Sequence, residues 1–320
     1  MSTEMKKYRL LTRSDFDGLV CAILLKELAI LDSVEFVHPK DVQDGKIFVT
    51  ENDILTNLPY VRNCHLCFDH HPSEETRTRG LSGPNHILTG GADSAARVLY
   101  NYHGGRETFP HISAQMMAEV DKADSAKFDR EDILNPQEWV LLSFLMDPRT
   151  GLGRFRDFRV SNYQLMMQLI DYCREHTIED ILNLPDVRER IDLYREHSSK
   201  FVAQIRRCTK VHGNVAVLDL RGEEVIYAGN RFMIYALFPD CELSIHVLWG
   251  LKRQNTVFAV GKSILNRSSA AKVGDILLGY GGGGHDAAGT CQIANESAEK
   301  VLKEIVELFS SDTAKEPVLV

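Results

Sequence analysis

A short apolar run, YRLLT at residues 8–12, gives way to the polar turn RSDFDG and then to LVCAILLKELAI, which has helix length and is apolar along nearly its whole extent. A helix that lacks a polar face has to be buried on every side. Three more short apolar runs, VEFVH, KIFVT and CHLCF, are separated by polar turns and read as strands. A strand, a turn and a buried helix followed by repeated short strands predict an α/β domain built on a parallel sheet with helices on its faces.

From about residue 92 to 205 the pattern becomes helical, through SAARVLYNY, SAQMMAEVDKA, EWVLLSFLM, NYQLMMQLIDYCREH and the long charged run that follows Pro185. That last run has little apolar surface and reads as a solvated helix between domains. Strand-like runs then return in NVAVLDL, EVIYAG, ELSIHVLW, TVFAVGKS and CQIAN, ahead of a terminal amphipathic helix. The expected organisation is an N-terminal parallel-sheet α/β domain with a helical segment at 1–185, a helical linker at 186–211 and a smaller C-terminal α/β domain at 212–320.

Charge narrows the function classes. With 37 Lys and Arg against 45 Asp and Glu, the net charge of -8 disfavours a protein that coats long duplex nucleic acid or an anionic membrane. A short phosphorylated ligand held by local arginines stays compatible with it. The opening MSTEMKKYRL has no apolar signal core, and no apolar run approaches the ~18 residues of a membrane span. Seven scattered cysteines, an odd number, suggest free thiols in the cytoplasm.

Chemistry-bearing residues gather in a few places. In CHLCFDHH, Cys64 and Cys67 have zinc-ligand spacing but lack a second pair, and strand residues three apart point to opposite faces. They read as buried packing. Asp69, His70 and His71 follow a strand, where active-site loops of α/β sheets collect, or else form a plain surface turn. Neighbouring side chains diverge in an extended chain, so the two histidines have separate jobs. Asp15 and Asp17 in SDFDG point to one side, an arrangement that is costly unless a cation lies between them, with helix capping as the alternative. Asp53 after KIFVT and Asp124 in VDKADSAKF add two carboxylates. Such a donor set suits Mn2+ or Mg2+, one or two per chain.

Near the C-terminus, GYGGGGHDAAG matches a dinucleotide-binding pattern, but the position 20 beyond Gly284 is Glu304, in a helical run and too near the chain's end for a βαβ unit. Gly282, Gly283 and Gly284 instead offer backbone amides to an anion beside His285, or form a hairpin. A cluster of arginines in DPRTGLGRFRDFR, including Arg149, Arg154, Arg156 and Arg159, reads as a solvated face, with a substrate lid as the alternative.

DFDG after the first strand, FDHH, and GYGGGGHDAAG in that order resemble the DHH phosphoesterases with their DHH-associated C-terminal domain. The resemblance spans about residues 8–295 and implies a metal-dependent phosphohydrolase with its active site in an interdomain cleft. By position it implies that Asp15, Asp17, Asp53, His70 and Asp124 are metal ligands, with Asp53 bridging two metals. Asp121 is the alternative to Asp124. The resemblance places His71 against the substrate phosphate and matches Arg267 to an arginine that holds phosphate. The family's usual histidine before the first Asp is missing, with Arg13 or Leu11 in its place. Arg13 is expected to take over part of that charge role and to leave one tight metal. The expected reaction is phosphodiester hydrolysis of short oligonucleotides or cyclic dinucleotides. An exopolyphosphatase-like enzyme and a non-catalytic nucleotide sensor are the alternatives, and monomer and homodimer are both open.

Overall fold

The computed structural model describes residues 6–155 and 157–311. In it the chain divides into two compact units. One holds the described residues up to Lys127 together with Pro136–Tyr194; the other holds Phe128–Asn135 and the described chain from Arg195 onward.

In the first unit, β1 (Tyr8–Thr12), β2 (Leu31–Phe36), β3 (Asp53–Thr56), β4 (Leu66–Asp69) and β5 (His86–Leu88) form a parallel sheet in the order β2-β1-β3-β4-β5. The helix after β1, Phe16–Glu27, buries every residue from Phe16 to Leu25, as its unbroken apolarity requires. Helices Ala95–Tyr102, Ala114–Asp124, Glu138–Met146 and Asn162–Glu175 all pack against it.

The run KIFVT is not a strand. Phe48 within it is 81% exposed, Val49 is buried against Leu11 and Leu55, and the chain enters β3 only at Asp53. The four residues of β3 are all buried between β1 and β4. This moves the strand by one apolar run relative to the sequence expectation, with consequences for Asp53.

The second unit carries β6 (Thr209–His212), β7 (Val215–Asp219), β8 (Leu243–Trp249), β9 (Thr256–Lys262), β10 (Gly283–His285) and β11 (Ala288–Ile293), in the order β10-β11-β9-β8-β7-β6. Only β7 and β8 pair in parallel in this sheet. Its core includes Val215, Leu243, Ile245, Phe258, Val260, Ile305 and Phe309. EVIYAG forms no strand, and the backbone amides of Tyr227 and Ala228 donate to side chains of Gln204 and His197 instead of to a ladder. The short helix Arg130–Leu134 packs on Met233–Leu237, and Asn230 Nδ2 donates to Ile133 O at 2.9 Å. A linear domain boundary near 185 could not anticipate this excursion. The Pro185–Cys208 helix runs from one unit into the other.

All seven cysteines are free. Cys64 and Cys67 are buried in the cluster with Leu11, Val42 and Leu55.

Candidate metal centre

Every strand of the parallel sheet points its C-terminal end the same way, so residues just past those ends share one edge. Past β1 come Arg13, Asp15 and Asp17; past β3 comes Asn57; Asp69 ends β4, followed by His70 and His71. The turn after β1 is tight. A Cβ on Gly18 would sit 2.1 Å from the Arg13 carbonyl oxygen, so glycine is required for the helix to start so close to the strand.

Asp15 caps that helix, accepting from Gly18 N at 3.1 Å, and its other oxygen lies 3.2 Å from Arg13 Nε. Asp17 is buried and accepts from Ala96 N and from Asn57 Nδ2, both at 2.8 Å. Burial pushes the Asp15 and Asp17 carboxyls up, Asp17 far above the usual carboxylate range, and Asp124 adds repulsion at both.

His70 closes the group. Its Nδ1 donates to Ala92 O at 2.9 Å, which fixes the tautomer and aims Nε2 at Asp124 Oδ2, 2.8 Å away. Burial pulls the imidazole down, but Asp124 and Asp17 outweigh it and hold His70 protonated up to about 9. Burial likewise pushes Asp124 up, and His70 and Arg13 bring it below its ordinary value. His70 Nε2 and Asp124 Oδ2 are both buried and, although close, neither has a hydrogen bond of acceptable geometry. The two atoms converge as two ligands of one cation would. Buried, mutually repelling carboxylates plus one oriented imidazole fit a divalent ion, which would replace the proton on His70.

Asp53 is a correction. It stands at the first residue of β3, the opposite end of the sheet from Asp15 and Asp17. Arg9 donates to it twice, at 2.7 and 2.9 Å, and Thr50 N donates at 2.7 Å. Its lone pairs are used in a structural ion pair, so it cannot bridge metals beside His70. The residue past β3 is Asn57. It is 2% exposed, has φ of +55°, and its Oδ1 is buried with no hydrogen-bond partner. Sequence reasoning missed it because it placed the strand one apolar run too early; the TNLP that ends DILT was the available signal. Asp121 is occupied elsewhere, accepting from Ser94 Oγ at 2.7 Å and from Arg97 Nε at 2.9 Å.

Asp69 Oδ1 accepts from the backbone amides of His70 and His71 and lies 2.7 Å from His71 Nδ1. It orients the turn and the His71 ring. Arg149, from the arginine cluster, is paired with Asp147, whose charge and hydrogen bond outweigh desolvation and raise its pKa, with smaller contributions from Asp15 and Asp124. Arg156 lies outside the described residues.

The remaining candidates lie in the second unit. Arg267 is exposed between β9 and the Val273–Leu278 helix, with Nε donating to Ile264 O at 3.0 Å. Gly283, Gly284 and His285 form β10, paired with β11 as a hairpin. Cβ atoms on Gly282 and Gly284 would meet the carbonyl oxygens of Thr290 and Ala288 at 2.3 and 2.2 Å, so these glycines serve close strand packing.

No family model matches the chain. Its structure superposes with a TM-score of 0.82 on the pGpG-specific phosphodiesterase PggH from Vibrio cholerae, 57% identical and covering 96% of this chain and 100% of that one. RecJ from Thermus thermophilus, solved with Mn2+, is 14% identical with a TM-score of 0.51, over 98% of this chain and 53% of RecJ, and shares the fold. The A-adding tRNA nucleotidyltransferase of Aquifex aeolicus (strain VF5) is 25% identical over 184 residues, 55% of this chain, which spans only 20% of that enzyme. The edge geometry and the first of these similarities define a phosphoesterase of the two-domain α/β kind. The chain belongs to the DHH phosphoesterase family and is a phosphohydrolase of the phosphodiesterase type. No described helix is long and apolar enough to cross a membrane.

Proposed function

We propose that this phosphodiesterase hydrolyses pGpG and related short dinucleotides. The observation that carries the reading is the 57% identity to a pGpG-specific phosphodiesterase over nearly the whole of both chains. Asp15, Asp17, His70 and Asp124, joined by the amide oxygen of Asn57, hold Mn2+ or Mg2+, because the donors are hard oxygens with one imidazole. Such an ion supplies neutralisation of phosphoryl charge and an acidified water.

The chain's own residues do the rest. Asp69 keeps His71 oriented toward the substrate phosphate. Arg13 lies beside Asp15 and offsets part of the charge that a first metal would meet, which favours one tight ion over two; at an effective dielectric of 20, unit charges 4 Å apart interact by about 4 kcal/mol. Asn57, a neutral amide at the sheet edge, lowers the negative charge further. The second unit, through Arg267, the Gly282–Gly284 backbone and His285, binds the remainder of the substrate. Seven free cysteines support a cytoplasmic setting.

The test is a panel assay on chelated protein resupplied with Mn2+, using pGpG, a cyclic dinucleotide and polyphosphate. Cleavage of pGpG to mononucleotides with polyphosphate untouched is the expected result. Phosphate release from polyphosphate without dinucleotide cleavage would replace the reading with an exopolyphosphatase. Titration of metal should show one tight ion, rising toward two in Arg13→His; two equally tight ions in the unaltered chain would refute the charge argument.

A further inference from the structure

Two neighbouring strands that lead to the metal edge end in threonine. Thr12 closes RLLT of β1 and Thr56 closes DILT of β3, and both are buried. The residues before them, Leu10 and Leu11 in one strand and Ile54 and Leu55 in the other, are apolar and buried as well. Valine has nearly the same shape and would fill either place with no hydroxyl to desolvate. The hydroxyls instead pair with each other. Thr56 Oγ1 donates to Thr12 Oγ1 at 2.8 Å, and Thr12 Oγ1 donates to the Thr56 carbonyl at 3.2 Å.

The Thr56 carbonyl belongs to the peptide that leads into Asn57. The N–H of that same peptide donates to Phe68 O of β4 at 3.1 Å. One peptide is thus held from both sides, by the Thr12 side chain and by the backbone of the next strand. Its orientation matters because Asn57 stands at φ of +55°, in the left-handed region. A residue with a side chain stays there only where its surroundings fix it. In that conformation Asn57 Nδ2 donates to Asp17 at 2.8 Å, and Oδ1 is left buried with no hydrogen bond. Thr12 is itself braced. Its carbonyl accepts from Val37 N at 2.8 Å, and a Cβ on Gly18 would come within 2.9 Å of its Oγ1, so the helix that carries Asp17 packs on the same side chain.

We propose that Thr12 is a positioning residue of the metal centre: its hydroxyl fixes the peptide ahead of Asn57, holds Asn57 left-handed and so aims the Asn57 amide oxygen at the cation. The proposal rests on the reading of Asn57 as a metal donor given above and deepens it. Without the hydroxyl, the Thr56–Asn57 peptide keeps only its bond to β4 and can turn, which lets Asn57 relax toward extended backbone and swings its amide away from Asp17. A neutral amide oxygen binds a divalent ion less strongly than a carboxylate does, so its contribution depends on being held in place by the groups behind it. Thr56 has a different part. Its own hydroxyl meets only the Thr12 side chain, and its loss leaves the bond from Thr12 to the Thr56 carbonyl in place.

Two measurements on the full-length chain test this without turnover. In metal-free protein, hydrogen exchange at the Asn57 side-chain amide is read by NMR from the resonance that Asn57→Ala removes. It should be slow in the unaltered chain and in Thr12→Ser, and about tenfold faster in Thr12→Val. Calorimetric titration with Mn2+ should then show affinity about tenfold weaker in Thr12→Val, and retained in Thr12→Ser and Thr56→Val. Added to Asn57→Ala, Thr12→Val should weaken binding no further, because the residue through which it acts is gone. Thermal unfolding checks each fold, and Thr12→Cys, whose thiol is a weak donor, replaces Thr12→Val if that variant does not fold. Unchanged exchange in folded Thr12→Val would overturn the proposal. So would unchanged Mn2+ affinity in Thr12→Val where Asn57→Ala lowers it, an equal loss in Thr56→Val, or full additivity with Asn57→Ala. If exchange quickens in Thr12→Val while Asn57→Ala leaves Mn2+ affinity unaltered, the positioning stands and the reading of Asn57 as a donor falls.

Discussion

The two ends of the parallel sheet put aspartates to opposite uses. At the N-terminal end, Asp53 is 1% exposed but fully partnered: Arg9 donates to both oxygens and is itself braced by Glu35 at 2.9 Å and by the Phe48 carbonyl. Burial pushes this carboxyl up, and Arg9 with the Thr50 amide overcomes it and holds the group below the usual range. At the C-terminal end, Asp15 and Asp17 are pushed the other way by burial and by Asp124, with too few donors to compensate. One end stores stability in a completed ion pair. The other keeps charge under repulsion, which a bound cation relieves. Buried acidic residues on one sheet are thus told apart by whether the protein itself supplies the counter-charge.

The comparison can be broken most severely at the C-terminal end. Chelation, or Asp15→Asn, should lower phosphodiesterase turnover by orders of magnitude. Asparagine keeps the helix cap and removes a carboxyl whose charged form burial disfavours, so the metal-free variant should unfold at a temperature no lower than the unaltered chain. Undiminished hydrolysis would take Asp15 out of the centre.

Asp53→Asn should do the reverse. It leaves the Arg9 guanidinium short of its partner and should cost about 2 kcal/mol of stability by urea unfolding, while kcat of the folded protein stays within about twofold. A large loss of turnover with normal stability would return Asp53 to the chemistry.

A subtler change sharpens the contrast by adding charge where the chain has none. Asn57→Asp places a carboxylate beside Asp17 at the end of β3, so metal affinity measured by calorimetry should rise about tenfold and metal-free stability should fall. Unchanged metal affinity would show that the Asn57 side chain does not face the ion.

The smallest effect is the pH dependence of the Arg9–Asp53 pair. Because the folded-state pKa is depressed, the stability it contributes is present above the unfolded value of about 3.9 and is lost as pH falls through the folded value. The gap in unfolding free energy between the unaltered chain and Asp53→Asn should be level from pH 7 to about 5 and narrow below about pH 4. A gap that widens on acidification would show the opposite shift.

Much of this was readable in the residues themselves. Unbroken apolarity from Leu19 to Leu25 demanded a buried helix, and the short runs around it demanded a sheet, because period and burial are local properties of a chain. SDFDG and FDHH announced their chemistry for a similar reason: each motif sits directly after its own strand, so sequence order and spatial order agree. What the tertiary structure alone decided was which apolar run became β3. KIFVT and DILT are nearly equivalent as local strand formers, and the choice is made by Arg9 and Asp53, partners 44 residues apart across β1 and β3. That register carried Asp53 to the far end of the sheet and set Asn57 at the metal edge. It also took the fold to separate Arg149 from Arg159. They are alike in sequence context, but one is held by Asp147 in its own loop and the other is turned to a helix. Charge and residue type are written in the chain, whereas the direction in which a loop cation points depends on partners that only folding brings near.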